Sequence, residues 1–324
     1  MGPRRSAAAL PLAVLLLGYL IGGGAQVSLA LLTDSESDPS TIATAASFPD
    51  TTAPTVASIV ISKTTPYIPG FIRQGGTYFV YANVTDAGSG VATVRANVAT
   101  VTTGQTAVAL VAGPYSIGGV TYNYRSASVT ANAVLTAGAK AYTITATDVA
   151  TNSVTQGGFN VTVDNTVPSG TNVQTTNAGV AGQPGLGDTM TLTFSEQIDP
   201  QTVLAGWTGT LTPVVVRITQ AAGGDQVTVR NAANTAVLPL GTVNLVGTNY
   251  LTTTRDFGAT GTASTMVQSG SAITVTLGTP SGAVGTQAAA NNMIWTPSAT
   301  ATDRAGNACH TTIATEAIPL DIDF

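Results

Sequence analysis

Six acidic residues stand at positions from which they could bind a metal ion. Asp50, Asp86 and Asp148 form one set, and Asp164, Glu196 and Asp303 form the other. Clustered carboxylates on loops are hard oxygen ligands that suit Ca²⁺. The sequence therefore predicts two candidate calcium sites, and calcium is the one cofactor it suggests. The alternative interpretation is that these acids only cap turns by accepting hydrogen bonds from their own backbone.

Three tyrosines are a second candidate site, in this case for a ligand. They are Tyr115, Tyr122 and Tyr124. Tyr122 and Tyr124 are two residues apart, so on a strand they share one face. Exposed aromatic rings can stack on sugar rings or anchor a protein partner. The same residues also suit an ordinary half-buried strand, and the sequence leaves both interpretations open.

The residue types that enzymes use for catalysis are scarce. His310 is the single histidine and follows the single cysteine, Cys309, so on a strand the two side chains point to opposite faces. Zinc would require more ligands of these types, and no phosphate-binding G-x-x-x-x-G-K motif occurs. The few glutamates leave little choice for the carboxylate pair of a glycosidase. The sequence predicts a protein that is not an enzyme.

The composition excludes two further classes of protein. The chain has 324 residues with 11 basic and 16 acidic side chains, so it is not a basic nucleic-acid-binding protein. Hydrophobic residues make up 44% of the chain, which excludes a highly charged disordered protein. We expect the partners to be surface or matrix proteins or glycans, and no nucleic acid.

The elements that would position the candidate residues are strands. Short runs rich in Val, Thr and Tyr alternate in polarity and are separated by turn residues. In the first half of the chain these runs are 56–62, 77–85, 91–99, 106–111, 121–130, 141–147 and 158–163. In the second half they are 171–176, 189–194, 214–219, 226–230, 272–277, 295–302 and 311–317. Seven strands per half is the count expected of an immunoglobulin-like sandwich.

An internal repeat divides the chain into two units. The pattern D-x-T-x-P occurs at 50–54 and 164–168, and A-T-D-x-A-x-N occurs at 146–152 and 301–307. We predict two tandem immunoglobulin-like β-sandwiches, at 50–165 and 166–324. The second is larger, and its surplus is expected within 231–270. In such a sandwich the three acids of each set lie at the same pole, and the second set lies where the domains join.

The N-terminal residues have the pattern of an export signal. Arg4 and Arg5 precede an apolar run at 10–21, and Ser28 and Ala30 offer small residues for cleavage after residue 30. We predict an apolar signal helix at 1–30 and a polar linker at 31–49. The apolar stretch 7–32 is also long enough to remain as a membrane anchor. The predicted location is extracellular, at the cell surface, with membrane contact only through an uncleaved N-terminal segment.

These motifs resemble a known family. The repeated patterns, together with V-T-D-A-G-S-G-V at 84–91, resemble the immunoglobulin-like repeat domains of bacterial surface and adhesin proteins. The segment 31–37, at the end of the leader, resembles the signal-peptide junction of camelysin and TasA-type biofilm-fibre proteins. The resemblance implies a bacterial surface or matrix setting. The first unit departs from the family at Thr151, where a glycine is usual, which puts the turn after Asp148 in question.

The function expected from the sequence is that of an exported, non-enzymatic structural or adhesive module of the cell surface or extracellular matrix. The first alternative is a carbohydrate- or protein-binding immunoglobulin-like module. The second alternative is a self-associating subunit of a surface fibre, in which residues 31–48 are donated as a strand to a neighbouring sheet.

Overall fold

The structure, a computed structural model, describes residues 49–64, 66–317 and 322–324. The predicted leader at 1–30, and the predicted linker apart from its last residue, lie outside the described residues. In the described ranges no helix is both long and apolar enough to span a bilayer. The fold there is all-β, with one sheet in each repeat unit.

The first sheet contains nine strands within the described part of the chain. They are β1 (Thr55–Ser62), β2 (Phe71–Ile72), β3 (Thr77–Thr85), β4 (Val91–Asn97), β5 (Val108–Ile117), β6 (Val120–Ser126), β7 (Val129–Thr130), β8 (Gly138–Asp148) and β9 (Ser153–Val163). Their order across the sheet is β1-β3-β6-β5-β4-β8-β9-β2, and β7 pairs with β3. The sheet has two strands more than the predicted seven. Strand β2 was not predicted, and the predicted strand 121–130 is divided into β6 and β7.

The two ends of the first sheet come together around a core. Strand β1 contacts β8 and β9, although they lie far apart in the strand order. Alternate residues of β3, namely Tyr78, Val80 and Ala82, are fully buried in this core. The opposite face of β3 carries Tyr81, which is also buried. Strand β3 is therefore covered on both faces.

The second sheet contains ten strands among the described residues, together with one helical turn, α1 (Pro200–Val203). The strands are β10 (Gly170–Thr176), β11 (Thr189–Phe194), β12 (Thr212–Thr219), β13 (Gln226–Asn231), β14 (Thr242–Asn244), β15 (Arg255–Phe257), β16 (Ser264–Ser269), β17 (Ala272–Thr276), β18 (Ile294–Thr296) and β19 (Ala314–Thr315). Their order is β10-β11-β17-β16-β12-β13-β14-β18-β19, and β15 pairs with β12. The strands beyond the predicted seven are β14, β15 and β16, within the expected range 231–270.

The second core is built around aromatic and aliphatic residues from most of these strands. Trp295 is fully buried and packs edge-on against Phe194, with ring centroids 4.8 Å apart. The indole Nε1 of Trp295 donates a hydrogen bond to the carbonyl oxygen of Leu240 at 2.8 Å, so the buried polar atom is satisfied. Strand β10 contacts β18 and β19, which brings the ends of this sheet together as well.

Polar contacts cross between the two sheets. The Lys63 ammonium, just after β1, lies 2.9 Å from a carboxylate oxygen of Asp199. Asp199 is fully buried and caps α1, accepting a hydrogen bond from the backbone N–H of Gln201 at 3.1 Å. The Arg304 guanidinium lies over the Phe71 ring, 4.2 Å from its centroid. These contacts place the end of the first unit that is remote from residue 50 against the second unit.

Candidate functional site

The structure brings the first three predicted acids together. Asp50 lies before β1, Asp86 lies directly after β3, and Asp148 is the last residue of β8. One carboxylate oxygen from each residue lies within 4.8 Å of the other two. We call this group the first cluster. The alternating directions of the strands place these three chain positions at one pole, as the sequence predicted.

An asparagine joins the two repeated motifs in the first cluster. The backbone N–H of Asn152 donates to Asp148 Oδ1 at 2.7 Å, and its side-chain Nδ2 donates to Asp148 Oδ2 at 2.8 Å. The same Nδ2 donates to the main-chain carbonyl of Asp50 at 2.9 Å. The last residue of A-T-D-x-A-x-N therefore holds the first residue of D-x-T-x-P. The sequence showed both motifs but not this connection.

Backbone N–H groups fix the other two carboxylates. Asp50 accepts hydrogen bonds from the N–H groups of Ser89 at 2.8 Å and Thr52 at 2.9 Å, and these bonds lower the pKa of Asp50. Asp86 Oδ2 accepts from Gly90 at 2.7 Å. Its other oxygen, Oδ1, is buried and has no hydrogen-bond partner among the described residues.

Gly88 leaves room for the first cluster. A Cβ built at this position would lie 2.3 Å from an oxygen of Asp50, far inside van der Waals contact. Any side chain at this position would therefore displace the Asp50 carboxylate. Gly88, the first glycine of the segment A-G-S-G at 87–90, is thus needed for the arrangement of the acids.

The second cluster repeats this design with Asp164, Glu196 and Asp303. Ligand oxygens of these residues also lie within 4.8 Å of one another. Asn307 takes the place of Asn152, because its Nδ2 donates to Asp303 Oδ2 and to the carbonyl of Asp164, both at 2.8 Å. Asp164 lies in the connection between the sheets, since the first sheet ends at Val163 and the second begins at Gly170.

The second cluster is electrostatically unfavourable as it stands. Burial, followed by the charges of Asp164 and Asp303, raises the pKa of Glu196 to about 7, while Arg304 opposes the shift. Burial also raises the pKa of Asp303. Burial and the charge of Glu196 raise the pKa of the nearby Cys309 thiol to about 11. Glu196 Oε1 is buried and has no hydrogen-bond partner in the described part of the chain.

The donor set of both clusters fits a hard divalent cation. Each offers three carboxylates with one oxygen apiece within 4.8 Å of the others. In each, one buried carboxylate oxygen lacks a hydrogen-bond partner within the ranges the structure describes. Oxygen ligands of this kind suit Ca²⁺ and do not suit a softer metal. The capping interpretation also holds in part, because five of these acids, all but Glu196, accept hydrogen bonds from backbone N–H groups nearby in the sequence.

The departure at Thr151 leaves the turn intact. Thr151 has a φ of 74°, close to the φ of 95° at the equivalent Gly306. The hydrogen bond that closes each turn is preserved, from Asp148 N to Asn152 O at 3.0 Å and from Asp303 N to Asn307 O at 3.1 Å. The threonine has therefore adopted a backbone conformation that a glycine adopts more readily.

The predicted tyrosine face is not a single exposed surface. Tyr122 is only 6% exposed and belongs to a small cluster with Tyr81 and Ile117, against which Tyr115 packs. Tyr124 instead packs against the main core of the first sheet. The strict alternation on which the prediction depended is broken where strands β5 and β6 pair.

Two asparagine side chains and a bulge lie where the alternation of side chains is broken. The backbone N–H of Asn123 donates to Asn83 Oδ1, and the N–H of Val84 donates to Asn123 Oδ1, both at 2.9 Å. Asparagine side chains thus replace the backbone ladder between β3 and β6. Strand β5 also has a register shift between Ala112 and Tyr115. A groove of about 410 Å³ remains beside these residues, lined by Asn83, Ala112, Gly113, Pro114, Thr121, Tyr122, Asn123 and Tyr124.

Comparison with protein-family models, with curated proteins and with solved structures gives no match for this chain.

Proposed function

We propose that the chain is an exported, non-enzymatic structural or adhesive module of the cell surface or extracellular matrix, composed of two immunoglobulin-like sandwiches stiffened by calcium. The observation that carries the proposal is the repetition of one carboxylate cluster in both units, with Asp164 of the second cluster in the connection between the sheets. The leader-like segment at 1–30 and the acidic composition support an extracellular setting.

Calcium in the second cluster would restrict motion between the units. The ion would tie Asp164, in the connection, to Glu196 and Asp303, which belong to the second unit. It would also remove the repulsion among three carboxylates, one of which lacks a partner for a buried oxygen. A spacer or adhesive module at a surface benefits from a fixed orientation, because a stiff connection holds its binding end away from the cell.

The test is the effect of calcium on thermal stability. Calcium added to the mature protein should raise its melting temperature, and a chelator should reverse the rise. A site saturated at 100 times its dissociation constant adds about 2.7 kcal/mol to the free energy of unfolding. Titration calorimetry with CaCl₂ alone should give two sites. Identical melting curves in calcium and in chelator, with no heat of binding, would contradict the proposal.

Two variants assign the response to the clusters. Asp86→Asn and Glu196→Gln each replace one carboxylate ligand of one cluster by an amide, and each should reduce the rise in melting temperature with calcium, while the double variant should lose most of it. The matched control is Asp256→Asn, which removes an acid that is paired with Arg217 and lies outside both clusters. In chelator the control should melt at a lower temperature than the wild type. Calcium should raise the melting temperature of both by the same amount.

A second candidate function is the binding of a carbohydrate or a protein. The observation in its favour is the groove beside Pro114, Tyr122 and Tyr124, which combines apolar rings with the amides of Asn83 and Asn123. Binding of glycans to an array of immobilised sugars, competed by the free sugar, would support this function. A structural module without a ligand would give no signal.

A further inference from the structure

The outer face of the first sheet carries an aromatic cluster that lies outside the main core. Tyr81 is its centre, with ring centroids 6.2 Å from Phe79 and 5.7 Å from Tyr122. Ile117 is buried in the same cluster. Because Phe79 and Tyr81 alternate with core residues along β3, this group lies on the side of the sheet that faces away from the core.

Arg125 is held in this cluster by rings and not by an acid. Its guanidinium lies 4.8 Å from the centroid of Phe79 and 4.4 Å from that of Tyr115, so it is placed between two aromatic side chains. The ion pairs among the described residues are Lys63 with Asp199 and Arg217 with Asp256. The Nε of Arg125 is buried and has no hydrogen-bond partner in the ranges described. Burial raises the pKa of the Tyr81 hydroxyl, and the charge and hydrogen bond of Arg125 oppose that shift, so the guanidinium also contacts this hydroxyl. No acidic side chain among the described residues pairs with Arg125.

The guanidinium forms part of the wall of a pocket between the two units. The pocket has a volume of about 250 Å³, which suits one small group and not an extended ligand. Its walls combine Arg125, the half-buried Phe79 and the largely buried Tyr81 with the hydroxyl-bearing Thr64 and Ser116. Gln201 of α1 contributes from the second unit, so the pocket depends on both units being in contact.

We propose that this pocket binds the carboxylate-bearing ring of an acidic sugar. The planar guanidinium matches a carboxylate in a two-pronged arrangement, and stacking on two rings fixes its plane in advance. The half-buried Phe79 provides an apolar surface for a sugar ring, and the hydroxyls of the wall and the amide of Gln201 suit its hydroxyl groups. An acidic peptide offers the same carboxylate but no ring of hydroxyl groups to match the hydroxyls and the amide of the wall. The site is separate from the groove beside Tyr124 and from both carboxylate clusters.

The probe is an oligogalacturonate, a chain of uronic acids, measured by titration calorimetry with the mature protein. Chelator is present throughout, so that calcium cannot bridge the sugar to the carboxylate clusters. We expect binding that weakens as salt is raised, because one charge pair carries it. The methyl ester of the same oligosaccharide, which has the rings without the charges, should bind at least tenfold more weakly. Equal binding of the ester, or no binding of either, would overturn the proposal.

A poly-glutamate peptide tests the other source of carboxylates. The proposal expects it to bind at least tenfold more weakly than the oligosaccharide. A peptide that binds as tightly as the uronate would show that the pocket recognises carboxylates of proteins, and this result would overturn the assignment to a sugar.

Variants place the binding at Arg125. Arg125→Gln should reduce affinity for the uronate about tenfold or more, whereas Arg95→Gln should not change it, because Arg95 lies on β4 outside the pocket. A melting curve measures the folding of each variant. If Arg125→Gln fails to fold, Gln201→Ala, at the wall contributed by α1, should still weaken binding while the protein remains folded. Unchanged affinity in the folded variants would contradict the proposal.

Discussion

Glu196 holds a proton at pH values at which an ordinary glutamate has lost it. Burial and the charges of Asp164 and Asp303 raise its pKa to about 7, against 4.5 in the unfolded chain. Between these two values the folded protein binds more protons than the unfolded one. The contribution of Glu196 to stability is therefore fully present below about pH 4.5 and is lost as the pH rises through about 7.

The link between protonation of Glu196 and stability can be measured through the pH dependence of the melting temperature. In chelator, the melting temperature of the wild type should fall between about pH 5 and pH 7 more steeply than that of Glu196→Gln, whose amide does not titrate. Asp256→Asn replaces an acid whose pKa is lowered by Arg217. Its melting temperature should fall over this pH range as steeply as that of the wild type. Parallel profiles for the wild type and Glu196→Gln would contradict the raised pKa.

The turns after β8 and at 303–307 show how one element can be built from different residues. Thr151 adopts a positive φ, where a side chain branched at Cβ costs about 1–2 kcal/mol. Gly306 adopts a similar φ without this cost. Both turns close with the same hydrogen bond between Asp and Asn. The position of the turn is therefore set by its Asp and Asn side chains and not by the residue with positive φ.

Replacing Thr151 by glycine should stabilise the first unit. Relief of the side-chain strain exceeds the greater freedom of glycine in the unfolded chain, which is about 0.5–1 kcal/mol, so the net gain should be about 0.5–1 kcal/mol. Urea unfolding measures it. The reverse change at the equivalent turn, Gly306→Ala, should be destabilising even though the added Cβ meets no atom closer than 3.5 Å. A loss of stability in Thr151→Gly would mean that the threonine side chain stabilises the turn.

Strands that alternate regularly could be predicted from the sequence almost to the residue. The predicted ranges 77–85 and 189–194 coincide with β3 and β11. The prediction at 106–111 was too short, because Gly113 and Pro114 suggest a turn whereas β5 passes through them with a bulge. The predicted strand 295–302 was too long, since only Ile294–Thr296 pairs with neighbouring strands.

The carboxylate clusters could be predicted from the sequence, whereas the Arg125 pocket could not. The three acids of each cluster could be placed together because the same pattern occurs in both units and the strand directions bring the three positions of a unit to the same pole. The Asn side chains that connect the motifs were visible as letters, but their hydrogen bonds across 102 and 143 residues were not. The Arg125 pocket could not be predicted, because its walls come from β3, from β5 and β6, and from α1 of the other unit.

The two units are joined by a buried ion pair as well as by the chain. The Lys63 side chain is 13% exposed and the Asp199 side chain is fully buried. Lys63 also donates a hydrogen bond to the main-chain carbonyl of Asp303 at 3.1 Å. Asp303 belongs to the second carboxylate cluster. Asp303 therefore belongs both to the contact between the units and to the proposed calcium site. A change at either place should alter the geometry of the other.

Lys63→Met should weaken the contact between the units. It leaves the Asp199 carboxylate buried without its counter-charge, which typically costs about 3–5 kcal/mol. The matched control is Arg217→Met, which breaks a more exposed pair, with side chains 33% and 19% exposed, and should cost about 1 kcal/mol or less. Urea unfolding measures both losses. Small-angle scattering should show a wider range of orientations between the units in Lys63→Met alone, and calcium should narrow that range. Equal losses in the two variants, with unchanged scattering, would mean that the chain connection by itself orients the units.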